Sequence, residues 1–187
     1  MSFWTTSEGE SLKENNSGEF DAGGGDMEPI PKGTDVLAAI DEAKVDEKDG
    51  AEYISLRWTV LKPAAYLGRK VFQKVWAFDH DSSAKDPAKK KDKALRMLSA
   101  IDANAGGKLV ASGQKPDNDS LQMYLMNMPM VLKLGLWEMK KDDGSDMSGN
   151  WVMQVAPKSK GVAEVTVTPK PSAGGGSQEM DDTEIPF

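Results

Sequence analysis

The chain has no cysteine and only one histidine among its 187 residues. The lack of cysteine excludes a disulfide framework, a thiolate metal site and a cysteine nucleophile, and it favours a reducing compartment. His80 stands between two aspartates, but no second histidine or cysteine exists to complete a zinc site. The run "DDGSDMSGN" lacks the spacing and the terminal Glu of a calcium loop. We therefore expect neither a metal nor a cofactor.

Long apolar runs are also missing. None approaches the roughly 18 residues that a membrane span needs, and no signal-peptide pattern opens the chain, so we expect a cytoplasmic protein without a membrane partner. No nucleophile–base pair or paired-carboxylate signature is present, and both Gly-Gly-Gly runs lie outside any strand–turn–helix context that would bind phosphate. Nothing in the residues supports an enzyme, and we expect a non-enzymatic protein.

Charge is divided unevenly along a chain whose net value is −7. Residues 1–32 hold seven acids and two bases, and residues 161–187 hold five acids and one base. Between them, residues 57–96 hold eleven lysines and arginines against four aspartates, which fits an anionic ligand. We predict a flexible or loosely docked N-terminal segment over 1–32, one domain over 33–160, and a disordered linker with an acidic tip over 161–187.

Hydrophobic alternation predicts strands in the middle segment. "AEYISLRWTVL" places Ile54, Leu56, Trp58 and Val60 on one face, and "RKVFQKVWAF" does the same with Val71, Val75 and Ala77. "DVLAAIDEAKV" also alternates, although its alanines and glutamates leave a helix open as an alternative. The turn "DEKDG" follows it, with Asp-Gly at its end. "PMVLKLGLWEM" and "NWVMQVA" predict the last two strands, joined by the turn "KKDDGSDMSGN".

"DPAKKKDKALRMLSAIDANAGG" predicts a long helix. Asp86 suits its N-cap and Pro87 its first turn, while two glycines end it. Its expected inward stripe is Leu95, Leu98 and Ile101, and "DSLQMYLM" predicts a second, short helix. Three strands, a helix and two strands follow the order of the OB-fold, a partly open barrel. We therefore predict a mainly β, five-stranded OB-fold barrel with a helix between strands 3 and 4, plus flexible acidic tails.

The outward face of strands 2 and 3 alternates bases with aromatic rings. Single-stranded nucleic acid is bound by this mixture, because cations track the phosphates and each ring stacks on a base at roughly 1–3 kcal/mol. The alternative is that the rings form core and the faces are inverted. Lysines at the helix start add phosphate-facing charge, or alternatively form a solvated helix start. The predicted binding residues are Tyr53, Arg57, Lys70, Phe72, Lys74, Trp76, Phe78, Lys89, Lys90 and Lys91.

The last residues combine acids with an apolar end. A partner protein would take the ring of Phe187 into an apolar pocket and its terminal carboxylate onto a basic side chain, while surrounding bases steer the acids. The alternative, an ordinary disordered acidic tail, explains the acids but not the apolar end. The predicted docking residues are Asp181, Asp182, Glu184, Ile185, Pro186 and Phe187.

The ending "MDDTEIPF" resembles the acidic tip of bacterial single-stranded DNA-binding proteins, which close on a run of Asp followed by Ile-Pro-Phe. It departs from them at Thr183 and Glu184, where the bacterial tip continues with aspartate. Over roughly residues 27–157, "EPIPKGT", "AEYISLRWTVLKP", "GRKVFQKVW" and "MLSAIDANAGGKL" are similar to a family of tailed-phage proteins regarded as OB-fold single-stranded DNA-binding proteins. The resemblance implies a protein that coats and protects single-stranded DNA during phage replication, recombination and repair.

The same resemblance implies that the tip recruits replication and repair proteins. Two alternatives stay open. One is an adaptor whose OB-like body binds protein, and the other is the DNA-binding subunit of a recombination or annealing complex. The oligomeric state is not set by the sequence.

Overall fold

The computed structural model describes residues 28–78, 85–142 and 144–164. In this part the chain is mainly β, with five strands and three α-helices. In chain order these are β1 (Asp35–Lys48), β2 (Ala51–Lys62), β3 (Lys70–Val75), α1 (Pro87–Ala105), α2 (Lys108–Ser112), α3 (Asn118–Leu125), β4 (Pro129–Lys140) and β5 (Asp146–Ala156). The prediction of a mainly β fold, with a helix following the third strand, is confirmed for the described residues.

The strands form a single antiparallel sheet in the order β3-β2-β1-β4-β5. The central strand β1 pairs along most of its length with β2, and its first residues pair with β4. A bulge leaves Asp41 between the paired residues Ile40 and Glu42. Bulges bend a strand and increase its twist. The two edge strands of the sheet, β3 and β5, approach each other.

The segment "DVLAAIDEAKV", for which a helix was the alternative, forms strand β1. Val36, Ala38 and Ile40 are fully buried and alternate with half-buried neighbours, which is the period of a strand. The predicted Asp-Gly turn is confirmed, because Asp49 and Gly50 both have positive φ (54° and 80°) between the paired Lys48 and Ala51. A two-residue hairpin turn needs positive φ at both positions, and Asp-Gly supplies it at low cost.

The predicted core faces of the second and third strands are confirmed. Ile54, Leu56, Trp58 and Val60 are fully buried on β2, and Val71 and Val75 are 2% exposed on β3. The indole N–H of Trp58 donates to Oε1 of Gln73 at 3.0 Å, so its one polar atom is satisfied inside the core. The face opposite these residues is therefore the outer face of the sheet.

Helix α1 begins as predicted, with the Asp86 carboxylate accepting the backbone N–H of Lys89 at 3.2 Å. Its inward stripe was predicted wrongly at one position. Leu98 and Ile101 are buried, but Leu95 is 44% exposed. Leu95 lies about 100° around the helix from the half-buried Ala94. The residues of α1 that pack on the core are Ala94, Met97, Leu98, Ile101 and Ala105.

The short helix α2 was not predicted. The carboxylate of Asp102, which is 1% exposed, accepts the backbone N–H groups of Leu109 at 3.0 Å and Val110 at 2.9 Å. A buried carboxylate on α1 thus caps the start of α2 and fixes the angle between the two helices. The second predicted helix is confirmed as α3, where Asp117 and Ser120 form a reciprocal capping box.

Candidate functional site

Strands β2 and β3 carry four of the predicted binding residues on their outer side: Arg57, Lys70, Phe72 and Lys74. Their register places Arg57 opposite Phe72, Ser55 opposite Lys74, and Thr59 opposite Lys70. These residues alternate with the buried core residues of the same strands. We call this surface the β2–β3 outer face; it is formed by Ser55, Arg57, Thr59, Lys70, Phe72 and Lys74.

Phe72 is the most exposed ring among the described residues. Its side chain is 67% exposed on the edge strand β3, with Lys70 and Lys74 two residues away on either side. Because Phe72 faces solvent, its ring does not stabilise the core. The face of the ring is open to a planar ligand. The flanking lysines put positive charge within reach of any phosphate beside that ligand.

Two cations of the β2–β3 outer face are held by carboxylates. Arg57 donates through Nε to Asp41 Oδ1 at 2.9 Å and through Nη1 to Glu42 Oε2 at 2.8 Å. Lys70 Nζ bonds both Asp41 and Thr59, and the Thr59 hydroxyl donates to Asp41 at 2.8 Å. This acidic pair was missed by sequence reasoning. Alternation from the buried Ile40 already places Asp41 on the outer face; the bulge turns Glu42 to the same side, and a bulge has no signal in the alternation.

The electrostatics of this network set the protonation of Asp41. Partial burial alone would raise the pKa of its carboxyl, but hydrogen bonds from Lys70, Arg57 and Thr59 outweigh that effect and hold the pKa at about 2. The same pairing raises the pKa of the Arg57 guanidinium above its usual value. Asp41 is therefore ionised at neutral pH, and it fixes the directions in which both cations point.

The prediction that Trp76 lies on an exposed strand face is wrong. Strand β3 ends at Val75, where a hydrogen bond from Ala77 N to Val75 O (2.9 Å) closes a three-residue turn. The alternation stops there, and Trp76 is 4% exposed. Its ring lies 4.8 Å from that of Tyr53, which is also buried (6%) rather than exposed. Neither ring is open to stack on a base in this arrangement.

Tyr53 and Phe78 lie beside cations. Lys74 Nζ is 5.2 Å from the ring centroid of Tyr53, and Lys115 Nζ is 4.7 Å from that of Phe78. Burial raises the pKa of the Tyr53 hydroxyl, and the neighbouring Asp46 raises it further. Phe78 is half-buried and lies beyond the end of β3, so the strand alternation does not apply to it.

The predicted lysine cluster at the start of α1 is only partly solvated. Lys89 is exposed, whereas Lys90 and Lys91 are half-buried. Lys91 Nζ donates to the carbonyl oxygen of Phe78 at 2.6 Å, which ties the first turns of α1 to the segment that follows β3. The structure thus brings Lys91 next to Phe78.

The six predicted docking residues from Asp181 to Phe187, and His80, lie outside the described residues. Within the described ranges, no cluster of three or more His, Asp or Glu side chains is arranged to hold a metal ion. Among the helices of those same ranges, none is long and apolar enough to cross a membrane. No protein-family model and no curated protein matches the chain.

Proposed function

We propose that this protein binds single-stranded DNA, without strong sequence preference, through its β2–β3 outer face. The observation that carries the proposal is the exposed ring of Phe72, fixed on a strand between two lysines. A base stacks on such a ring whatever its identity, because every base has a π-face, while cations hold the neighbouring phosphates. A duplex hides its base faces in the helical stack and offers this surface only its backbone.

The sheet is proposed to be an OB-type barrel. Three features support this architecture: the strand order, the approach of the edge strands β3 and β5, and a helix between the third and fourth strands. In that fold, the face of strands 2 and 3 binds oligonucleotides. The proposed binding face therefore lies where the proposed fold binds its ligands.

The cations of the face give the binding a defined geometry. Arg57 and Lys70 are ordered by Asp41 before any ligand arrives, so less side-chain entropy is lost when a phosphate contacts them. Asp41 and Glu42 neutralise part of the charge of these two cations, so their non-specific attraction for DNA is modest. Each phosphate contact still releases counterions, and affinity falls as salt rises.

The biological role that we propose follows from the resemblance to phage single-stranded DNA-binding proteins. The protein coats and protects single strands during phage replication, recombination and repair in the cytoplasm of an infected cell, and it has no catalytic activity. Its acidic C-terminal tip recruits replication and repair proteins. The composition of that tip, with acids before an Ile-Pro-Phe end, supports the recruiting role.

The test replaces Phe72 with alanine and measures affinity for a dT oligomer of about 16 nucleotides by fluorescence anisotropy. We expect a loss of roughly 5- to 150-fold, the equivalent of one base–aromatic stack. Met123→Ala is the matched control, because Met123 is similarly exposed (71%) but lies on α3. Equal affinities for wild type, Phe72→Ala and the control would show that Phe72 does not contact the DNA.

A second candidate, a protein-binding adaptor, is favoured by the pairing of Arg57 and Lys70 with Asp41 and Glu42. Those contacts leave less free positive charge on the face than a phosphate-binding surface ordinarily carries. If the wild-type protein binds no dT oligomer even at low salt, the adaptor replaces the DNA-binding proposal.

A further inference from the structure

The β4–β5 hairpin carries two tryptophans that lie against glycines of the facing strand. The register places Gly135 opposite Trp151 and Trp137 opposite Gly149. A Cβ atom at Gly135 would lie 2.2 Å from Trp151 Nε1, and one at Gly149 would lie 2.6 Å from Trp137 Cζ2. Each glycine is therefore required by the indole that covers it, and the two pairs are reciprocal.

This surface looks away from the core. The buried pair Leu134 and Val152 lies on the opposite face of the same two strands. Three methionines on or beside the tryptophan face are exposed by 37–42%. We call it the β4–β5 outer face; its residues are Gly135, Trp137, Met139, Met147, Gly149, Trp151 and Met153.

A solvent-facing strand face is normally polar, and contiguous apolar residues there mark a surface that binds something. A purely structural role accounts for part of the arrangement, since an aromatic ring covers the weak point that a strand glycine creates. It does not account for the methionines, nor for two glycines in a hairpin where β-branched pairs would hold the register better. Because the two indoles lie against glycines, which have no side chain, they form a broad, flat aromatic surface.

We propose that the β4–β5 outer face is a second base-stacking surface for the same single-stranded DNA, with Trp151 as its principal ring. The inference rests on the function proposed above. It is argued from continuity: β3 and β5 approach each other, and both outer faces look away from one shared core. A strand that leaves Phe72 thus reaches β5 next.

The chemistry of the face suits a base better than a protein side chain. An indole is the largest aromatic stacking surface among the side chains, and methionine sulfur adapts to the edges of planar rings. The exposed Lys140 and Lys141 at the end of the hairpin supply cations for phosphates, although Asp142 and Asp146 beside them offset part of that charge. We expect the contribution of this face to be dominated by stacking and to depend little on salt.

The experiment compares Trp151→Leu and Trp151→Phe with wild type on two dT oligomers, of about 4 and about 16 nucleotides, the limits of the range for one OB fold. The short oligomer fits on the β2–β3 outer face alone, whereas the long one reaches both faces. We expect Trp151→Leu to lose roughly 5- to 100-fold in affinity for the long oligomer and nothing for the short one. Trp151→Phe keeps a ring and is expected to lose little.

The tryptophan emission of these proteins gives a second readout that survives if Trp151→Leu fails to fold. Trp58 and Trp76 are at most 4% exposed, so a base cannot stack on them without rearrangement. We expect the long oligomer to quench wild-type emission and the short one to quench it less. The additional quenching should decrease in Trp151→Phe, because one of the two indoles of the face is gone while the fold is kept.

Each outcome decides the inference. If wild type binds both oligomers and the Trp151 variants match it in affinity and quenching, the second stacking surface is refuted while the β2–β3 proposal stands. If wild type binds neither oligomer, the DNA-binding function itself fails. If sedimentation shows that Trp151→Leu breaks an oligomer and DNA affinity is unchanged, the face is an interface between copies of this chain and the inference is overturned.

Discussion

Replacing Asp41 with asparagine tests how the β2–β3 outer face is organised. The carboxylate binds Arg57, Lys70 and Thr59 at once. Asparagine keeps the size of the side chain and removes its charge, so Lys70 loses this carboxylate and Arg57 keeps only its ion pair with Glu42. The substitution should therefore change protein stability and DNA binding in opposite directions.

The stability effect follows from the pKa of Asp41, which falls from 3.8 to about 2 on folding. One pKa unit corresponds to about 1.4 kcal/mol, which sets a ceiling of about 2–3 kcal/mol. The Arg57 and Lys70 side chains are 38% and 43% exposed, and solvent screening reduces that figure. We expect Asp41→Asn to lose about 1 kcal/mol of unfolding free energy at pH 7, measured by urea denaturation.

The pH dependence has a definite sign. Because the folded-state pKa of Asp41 is depressed, its contribution is fully present above about pH 4 and is lost as pH falls through 2. The stability difference between wild type and Asp41→Asn should therefore shrink as pH falls from 4 towards 2. A difference that is constant across this window would mean that the carboxylate does not stabilise the folded state through its charge.

DNA binding should strengthen in the same variant. Removing the charge of Asp41 increases the net positive charge that Arg57 and Lys70 offer to phosphates, and each further phosphate neutralised on a single strand steepens the slope of log affinity against log salt by about 0.7. We expect tighter binding at low salt and a slope steeper by about 0.7 to 1.4. Glu164→Gln removes the same charge from an exposed position outside the face and serves as control. An unchanged slope would refute the placement of these two cations beside the DNA.

Two further predictions concern the helices. Asp102→Ala leaves the two capped N–H groups at the start of α2 without their partner, and we expect a loss of about 2–4 kcal/mol in urea unfolding; a loss below about 0.5 kcal/mol would show that water replaces the carboxylate. Leu98→Ala should cost about 2–5 kcal/mol, whereas Leu95→Ala should cost less than about 1 kcal/mol because that side chain is 44% exposed. Equal losses at the two positions would contradict the observed stripe of α1.

Much of the sheet could be predicted from the sequence because its strands alternate regularly. The two-residue spacing of Trp58 from its apolar neighbours predicts that it lies in the core, and the structure confirms that placement. Asp49 and Gly50 marked the first hairpin because few residues adopt positive φ at low cost. Phe72 was found by the same alternation, and it stands on the outer face.

The features of the site that the sequence does not predict arise where the regular alternation of a strand is interrupted. The bulge at Asp41 turns Glu42 to the same side as Asp41, beside Arg57, and the turn after Val75 buries Trp76. Neither event has a pattern of its own in one sequence. The contact of Trp151 with Gly135 requires the register between two strands, which local spacing cannot supply. The pairing of strands that are distant in sequence therefore determines which of these side chains meet.

The central claim is that this protein prefers single strands because bases stack on its exposed rings. The most direct measurement is a titration of the wild-type protein with a labelled dT oligomer of about 16 nucleotides and with a duplex of the same length, at low and at physiological salt. We expect binding to the single strand at both salt concentrations, and binding to the duplex that is weaker and disappears as salt rises. Equal affinity for both, lost together with salt, would mean that charge alone holds DNA and that stacking on Phe72 plays no part.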